Sequence, residues 1–168
     1  MEVFTRKVFY MIFITLGSQK FQFNRLLIYI DKLIDDGVIQ EEVFAQKGNS
    51  NYIPKNYNFV EFLERTKFQE KMEEAEFVVT HGGTGAIVTA LNNNKKVIAV
   101  PRLAKFDEHV DDHQIQIVEA FSNANYIMKA LDYFEFEQNI KKIKKMKFDR
   151  FKSNNNFFVA EIIRLIKK

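Results

Sequence analysis

Short apolar segments recur along the chain, and each is typical of a strand that is buried on both faces of a sheet. The first covers residues 8–16, is rich in aromatic and β-branched side chains, and ends at Gly17. Five further segments are predicted to be strands, at 43–48, 58–63, 76–80, 96–100 and 126–130.

The segments between these strands place apolar residues at the spacing of amphipathic helices. In the first of them Leu26, Ile30 and Leu33 share one face, and Gly37 predicts where the helix ends. Further helices are predicted at 67–75, directly after the glycine-rich turn at 80–85, and at 111–125, 135–148 and 155–168. Strand and helix therefore alternate, which predicts an α/β fold: a Rossmann-like parallel sheet with helices on both faces.

Length and composition fit a single domain. The chain has 168 residues, of which 46% are hydrophobic and 28% charged, so it is globular and long enough for one core. We interpret residues 1–168 as one domain that ends in helices within 132–168. Because Met11 lies inside the first strand, residues 1–10 form a possible extra N-terminal segment, and the natural start stays open. No apolar run approaches the roughly 20 residues that a membrane-spanning helix needs.

Charge and cysteine content exclude several classes of function. The formal net charge of +3 is too weak to indicate a partner that is nucleic acid. The chain has no cysteine, which rules out disulfides, thiol catalysis and cysteine-ligated zinc. An uncrosslinked chain of this size suits the cytoplasm.

The glycine-rich turn "THGGTG" at 80–85 carries the main candidate chemistry. A helix that begins just after Gly83 or Thr84 has free backbone N–H groups and a positive dipole end, and both favour an anion. The three glycines keep side chains away from a phosphate, Thr84 is a predicted cap that also offers a hydroxyl, and His81 would face the same cleft. A turn that only packs a helix on its strand, with an ordinary packing histidine, is the alternative.

A second polar cluster, "PRLAKFDEHVDDHQ" at 101–114, contains four acids, two histidines and a glutamine. The spacing of His109 and His113 suggests a metal pair, but a zinc-protease helix needs Glu directly after the first histidine, where this chain has valine. Asp111 or Asp112 is a predicted helix N-cap. We favour a polar rim that hydrogen-bonds a hydroxyl-rich ligand over a bound metal, and a solvated loop with a cap is the alternative.

The motifs "THGGTGAIVTAL", "KKVIAVPR" and "EHVDDHQ", in this order, resemble the nucleotide-sugar-binding, C-terminal half of GT-B glycosyltransferases. The likeness covers about residues 11–130. It is greatest to small single-domain subunits: the soluble catalytic half of the two-part dolichol-pathway N-acetylglucosaminyltransferase and its bacterial capsule and exopolysaccharide counterparts. The resemblance implies a hexosyltransferase that takes its sugar from a UDP-sugar.

The resemblance also implies a role for individual positions. It makes His81 the catalytic residue. The residues implied to hold the donor diphosphate are Gly17, Ser18, Gly82, Gly83, Thr84 and Gly85. The residues implied to contact the sugar or ribose are Thr89, Asp112, His113 and Gln114. Thr89 departs from the family, because relatives often have a Glu there that grips the ribose diol, and this puts the identity of the nucleotide in doubt.

The resemblance further implies that the chain is half an enzyme. In GT-B enzymes the general base usually comes from the other domain, which this chain is too short to contain. A membrane-anchored, acceptor-binding subunit would supply it, and the acceptor would be a lipid-diphosphate-linked saccharide. The chain itself would be cytoplasmic and recruited to the inner face of the membrane through this partner. No cofactor or metal is expected, because a helix N-terminus and His81 would stabilise the leaving diphosphate.

Two other functions stay open at this point. One is a non-catalytic accessory subunit that stabilises a partner glycosyltransferase, which the departure at Thr89 keeps possible. The other is a dinucleotide-dependent oxidoreductase, which the turn "LGSQKF" at 16–21 disfavours because it lacks the G-x-G-x-x-G pattern. The lysine-rich segment 139–148 is either a solvated helix face or a contact with an anionic membrane surface.

Overall fold

The computed structural model describes residues 11–153 and 156–167. Within them, six strands form one parallel sheet: β1 (Met11–Thr15), β2 (Glu42–Gln46), β3 (Asn58–Val60), β4 (Ala75–His81), β5 (Lys96–Val100) and β6 (Met128–Lys129). The helices are α1 (Asn24–Asp35), α2 (Arg65–Glu74), α3 (Thr84–Asn92), α4 (His113–Asn123), α5 (Tyr133–Lys142) and α6 (Asn156–Ile166). Two 3₁₀ turns lie at Ala104–Phe106 and Ile143–Lys145.

The strand order is β3-β2-β1-β4-β5-β6, and every neighbouring pair is parallel. The chain runs outward from β1 to β3 and then crosses back to β4 on the other side of β1. This reversal is the topological switch point of a doubly wound sheet, where the turns after β1 and β4 diverge and leave a crevice. Thr15 and Thr80 pair across this junction, and Thr80 Oγ1 donates to the Thr15 carbonyl at 2.9 Å.

Both faces of the sheet are covered by helices, which explains why the strands read as continuous apolar runs. Successive residues of β1 alternate between the two faces: Ile12 and Ile14 belong to the core under α1 and α5, and Met11 and Phe13 to the core on the opposite face. The opposite core receives side chains from α2, α3, α4 and α6.

The predicted fold is confirmed, with shifts at the ends of elements. Gly37 ends the first helix with φ of +72°, and its N–H donates to the Ile34 carbonyl at 3.0 Å. The strands predicted at 58–63 and 126–130 are wrong at their ends, since they shorten to three and two residues. The helix predicted at 135–148 ends at Lys142. Residues 8–10, in the first predicted strand, lie outside the described residues.

The lysine-rich segment after β6 packs into the core. Ile140 and Ile143 are 7% and 0% exposed, and both belong to the core under α1. These two side chains are therefore not available to a membrane surface, whereas Met146 is 37% exposed. The lysines of the segment are exposed and form a solvated face. No helix in the described ranges has the length and apolarity that crossing a bilayer requires.

Candidate functional site

A cavity of about 470 Å³ lies at the switch point, at the carboxyl end of the sheet. The turn after β1, the end of β2 and the first turns of α3 and α4 line it. Residues 17–19, in the turn "LGSQKF", and the glycine-rich turn at 80–85 thus meet across one cavity. Ligands of doubly wound sheets bind at this position.

The first turn of α3 offers free hydrogen-bond donors to this cavity. The cap position is occupied by Gly83, and its carbonyl accepts the first helical bond, from Ile87 N at 3.1 Å. In the part of the chain that the structure describes, the N–H groups of Thr84, Gly85 and Ala86 donate to no other residue. All three residues line the cavity, so the positive end of the helix faces it.

Thr84 does not cap the helix as the sequence predicted, because it is the first helical residue and the chain turns one position earlier, at Gly83. Its hydroxyl oxygen is buried and has no hydrogen-bond partner among the described residues. A buried hydroxyl without a partner costs free energy unless a ligand or water satisfies it. The orphaned hydroxyl belongs to the first of the three residues whose N–H groups are free.

His81, the last residue of β4, lies between two glycines and is 6% exposed. Its Nδ1 accepts a hydrogen bond from Gly83 N at 3.0 Å, so the proton of the neutral ring is on Nε2. A Cβ at Gly17 would lie 2.6 Å from Nε2, and one at Gly83 would lie 2.2 Å from Cε1. The glycines at these two positions therefore give the imidazole its space.

Burial, reinforced by the positive charge of Arg102, lowers the pKa of His81 to about 3. The ring is consequently neutral at physiological pH and acts as an N–H dipole. Since the folded-state pKa lies below the ordinary value of 6.5, the neutral ring contributes stability above pH 6.5. That contribution falls away as the pH drops from 6.5 towards 3.

We expect His81 to remain in the Nε2–H neutral form from pH 8 down to pH values near 5. Two-bond ¹H–¹⁵N spectra of the imidazoles report the tautomer and the charge directly. His113, which is more exposed than His81, is the comparison in the same spectra. A charged His81 ring at pH 6 would contradict this assignment.

Gln114 and Gly82 have a structural relation that the sequence did not reveal. The Gln114 carboxamide oxygen accepts from Gly82 N and from Arg102 N, both at 3.0 Å, and the side chain is 2% exposed. A Cβ at Gly82 would lie 2.9 Å from Val118 Cγ1, so this glycine allows β4 and α4 to pack closely. Gly82 does not line the cavity and its N–H is already used, which corrects the expectation that it faces a diphosphate.

Arg102 fixes the shape of the turn after β1. It is 1% exposed and donates through both terminal nitrogens to four backbone carbonyls. These carbonyls belong to Leu16 at 2.6 Å, Phe21 at 3.2 Å, Gln22 at 3.0 Å and Glu108 at 3.3 Å. Burial lowers its pKa to about 10, so the guanidinium stays charged at neutral pH. No role for Arg102 was predicted from the motif "KKVIAVPR", and the available signal was a charged residue just after a buried strand.

Glu108 compensates this buried charge. Its carboxylate is 0% exposed and receives a two-point contact from Arg25, with Nε and the terminal nitrogen each at 2.9 Å. The same carboxylate also accepts from Leu103 N at 2.9 Å. The loop after β5 is therefore held to α1 and to the turn after β1 by one buried ionic network.

The remaining predicted residues divide between the cavity and the rim. Gly17, with φ of +74°, and the exposed Ser18 line the cavity, as do Thr89 and His113. Thr89 Oγ1 donates to the Gly85 carbonyl at 2.8 Å, so its hydroxyl satisfies the helix. Asp112 does not line the cavity. Its carboxylate accepts from Ala104 N at 2.8 Å and holds the loop, and the expected contact with a sugar stays a prediction.

The two histidines of the rim come together with Asp111. Asp111 Oδ1 accepts from the N–H of His113 at 3.1 Å and also contacts its ring Nδ1. The hydrogen bond to His113 lowers the pKa of Asp111, and burial followed by the nearby His113 lowers the pKa of His109. Of the two acids predicted as caps, Asp111 is the one whose side chain bonds the start of α4.

Comparison with solved structures agrees with this architecture. A solution structure of ALG13 superimposes with a TM-score of 0.59 at 20% identity, covering 95% of this chain and 98% of that one. A glycotransferase of kitacinnamycin also superimposes with a TM-score of 0.59, at 12% identity, covering 96% of this chain and 39% of that one. At these identities the likeness concerns the fold, and the Rossmann-like half of a GT-B enzyme predicted from the sequence is confirmed.

Sequence comparison adds the family. The UDP-N-acetylglucosamine transferase subunit ALG13 of Candida albicans is 29% identical over 65 residues, 39% of this chain. The matched segment spans only 21% of that longer protein. The model of the family described as "Glycosyltransferase family 28 C-terminal domain" matches residues 11–167. Because this match takes in nearly the whole chain, the protein belongs to the glycosyltransferase family 28 C-terminal domain family.

Proposed function

We propose that this chain is the donor-binding catalytic subunit of an inverting glycosyltransferase that uses a UDP-sugar. The observation that carries the proposal is the group of unpaired donors at the start of α3: three backbone N–H groups and the buried Thr84 hydroxyl. A diphosphate presents oxygen acceptors and negative charge, which the positive end of a helix binds. The name of the Candida albicans relative favours N-acetylglucosamine as the sugar.

The same donors supply the chemistry. Departure of UDP places additional negative charge on the diphosphate, and donors that are already in position stabilise it without reorganisation. Neutral His81 contributes through Nε2–H, which lies on the Gly17 side of its ring. On this account His81 is the catalytic residue, and neither a cofactor nor a metal ion is needed for sugar transfer.

The acceptor and the partner are the second part of the proposal. A membrane-anchored subunit would bind a lipid-diphosphate-linked saccharide, provide the general base that removes the acceptor proton, and hold this chain at the inner face of the membrane. The relative's name, which calls it a subunit, supports a divided enzyme. Capsule or exopolysaccharide synthesis is the setting proposed from the resemblance; the names of the compared proteins do not mention it.

Calorimetric titration with UDP and with uridine tests whether the start of α3 binds the diphosphate of the sugar donor. We expect UDP to bind at least about tenfold more tightly than uridine, because only UDP reaches the start of α3. Thr84→Val is the matched variant, since it removes one hydroxyl at nearly constant shape. It should weaken the binding of UDP about tenfold, because one hydrogen bond to a charged group is lost. The affinity for uridine should not change. Equal affinity for UDP and uridine would contradict the proposal that the start of α3 binds the diphosphate.

A non-catalytic accessory subunit is the second candidate. It is favoured by Thr89, whose hydroxyl is turned to the helix carbonyl of Gly85 and so does not replace a carboxylate that grips a ribose diol. The two candidates differ in one result. Sugar transfer by the complex with its partner would be lost in His81→Ala if this chain is catalytic, and kept if it only stabilises the partner.

A further inference from the structure

Three metal-ligating side chains converge in the loop that leads into α4. His109, Asp111 and His113 each offer one ligand atom, and these atoms all lie within 4.8 Å of one another. The two imidazole centroids are 4.8 Å apart. Asp111 Oδ1 lies 3.3 Å from His109 Nδ1 and also contacts His113 Nδ1. One carboxylate oxygen therefore lies between two imidazole nitrogens.

The ligand atoms are held in place by other contacts of the fold. His109 is half-buried, with 9% of its side chain exposed, and its ring packs against Phe21 with centroids 5.4 Å apart. Asp111 is fixed to the start of α4 by the hydrogen bond from the N–H of His113. The cluster thus exists before any ion arrives, which lowers the entropic cost of binding.

The donor set selects the kind of ion. Two imidazoles and one carboxylate suit Zn²⁺ and related first-row metals, whereas Mg²⁺ and Ca²⁺ prefer oxygen ligands alone. Ligands that bind Zn²⁺ tetrahedrally at about 2.0–2.2 Å lie roughly 3.4 Å from one another. Separations of up to 4.8 Å therefore close to that value by small side-chain rotations.

We propose that His109, Asp111 and His113 bind a divalent transition-metal ion, Zn²⁺ in the first place, with one coordination position left open. His113 also lines the cavity at the switch point, so the ion would lie at its margin and add positive charge there. The site goes beyond the donor-binding function proposed above and does not depend on it. The proposed mechanism of sugar transfer needs no metal ion. The ion would therefore be a separate feature at the margin of the cavity.

The test uses the full chain without an affinity tag, titrated with Zn²⁺ by calorimetry and with Co²⁺ by visible absorption. We expect one equivalent of Zn²⁺ with micromolar or tighter affinity, and Co²⁺ absorption bands typical of nitrogen and oxygen ligands in low coordination. Asp111→Asn and His109→Ala should each weaken binding by at least about tenfold. Asparagine keeps the oxygen that caps α4, so the first variant changes the ligand and preserves the fold.

Asp112→Asn is the matched control, because Asp112 is the adjacent carboxylate and is directed to Ala104 N. It should bind Zn²⁺ as the unmodified chain does. The proposal is overturned if Zn²⁺ fails to bind at millimolar concentration. It is equally overturned if Asp111→Asn and His109→Ala bind as tightly as Asp112→Asn, which would show that the three side chains only cap α4 and pack the loop.

Discussion

A Gly83→Ala variant is expected to bind UDP about 100-fold more weakly than the unmodified chain, a loss of about 2.7 kcal/mol at 25 °C. The added Cβ would lie 2.2 Å from His81 Cε1 and 2.8 Å from Nδ1, distances that are too short for a non-bonded carbon atom. The ring has no room to retreat, because Gly17 lies against its other side. Either the ring or the start of α3 must move, and the hydrogen bond from Gly83 N to Nδ1 is lost.

The comparison variant for the fold is Gly85→Ala. A Cβ at Gly85 meets no atom within 4 Å, so this substitution should leave the melting temperature at or above that of the unmodified chain. Calorimetry with UDP measures the affinity of Gly83→Ala, and circular dichroism confirms that both variants are folded. If Gly83→Ala binds UDP as tightly as the unmodified chain does, the packing of the imidazole against the turn does not contribute to UDP binding.

Removal of the Arg102 guanidinium is expected to have the largest effect on stability. Arg102→Met should lower the free energy of unfolding by about 4 kcal/mol, because buried carbonyls of the turn after β1 lose their donors and each costs about 1–3 kcal/mol. It also removes a positive charge that interacts favourably with Glu108, whose carboxylate stays paired with Arg25. Urea unfolding at 10 °C, followed by circular dichroism, measures the change.

Arg102→Lys separates charge from geometry. Lysine retains the positive charge, but an ammonium group does not reproduce the planar fork that serves four carbonyls. We expect a loss of stability between those of the unmodified chain and Arg102→Met. A loss below about 1 kcal/mol in Arg102→Met would show that water replaces the guanidinium and that the turn does not depend on it.

The sequence predicted the arrangement of strands and helices because the dominant signals were local. β4 and β5 are apolar runs bounded by turns, and Gly37 occupies the left-handed conformation that its position after a helix suggested. The meeting of the two glycine-containing turns also followed from the sequence, since parallel strands bring their carboxyl ends to one edge. The length of β6 was overestimated because the buried apolar residues extend beyond the strand on both sides. Ile127 and Ala130 are buried but lie outside it.

The hydrogen bonds of the site were beyond sequence reasoning because they join distant residues. Gln114 is 32 positions from Gly82, and the glutamine that the resemblance directs to a sugar has its oxygen engaged by two backbone N–H groups. Arg102 reaches the carbonyl of Leu16, 86 positions away. Neither spacing produces a period or motif. The start of α3 was left open between two residues for a local reason: glycine and threonine both serve as caps, and Gly83 takes the position.

The proposed function depends on the backbone donors at the start of α3, which we expect to bind the diphosphate of UDP. Titration of ¹⁵N-labelled protein with UDP, followed in ¹H–¹⁵N correlation spectra, examines these donors one by one. We expect the amides of Thr84, Gly85 and Ala86 to show the largest shifts. Uridine at the same concentration should leave these three amides nearly unchanged. Diphosphate binding at this position is contradicted if millimolar UDP leaves the chemical shifts of the three amides unchanged. It is also contradicted if the shifted amides cluster on another part of the surface.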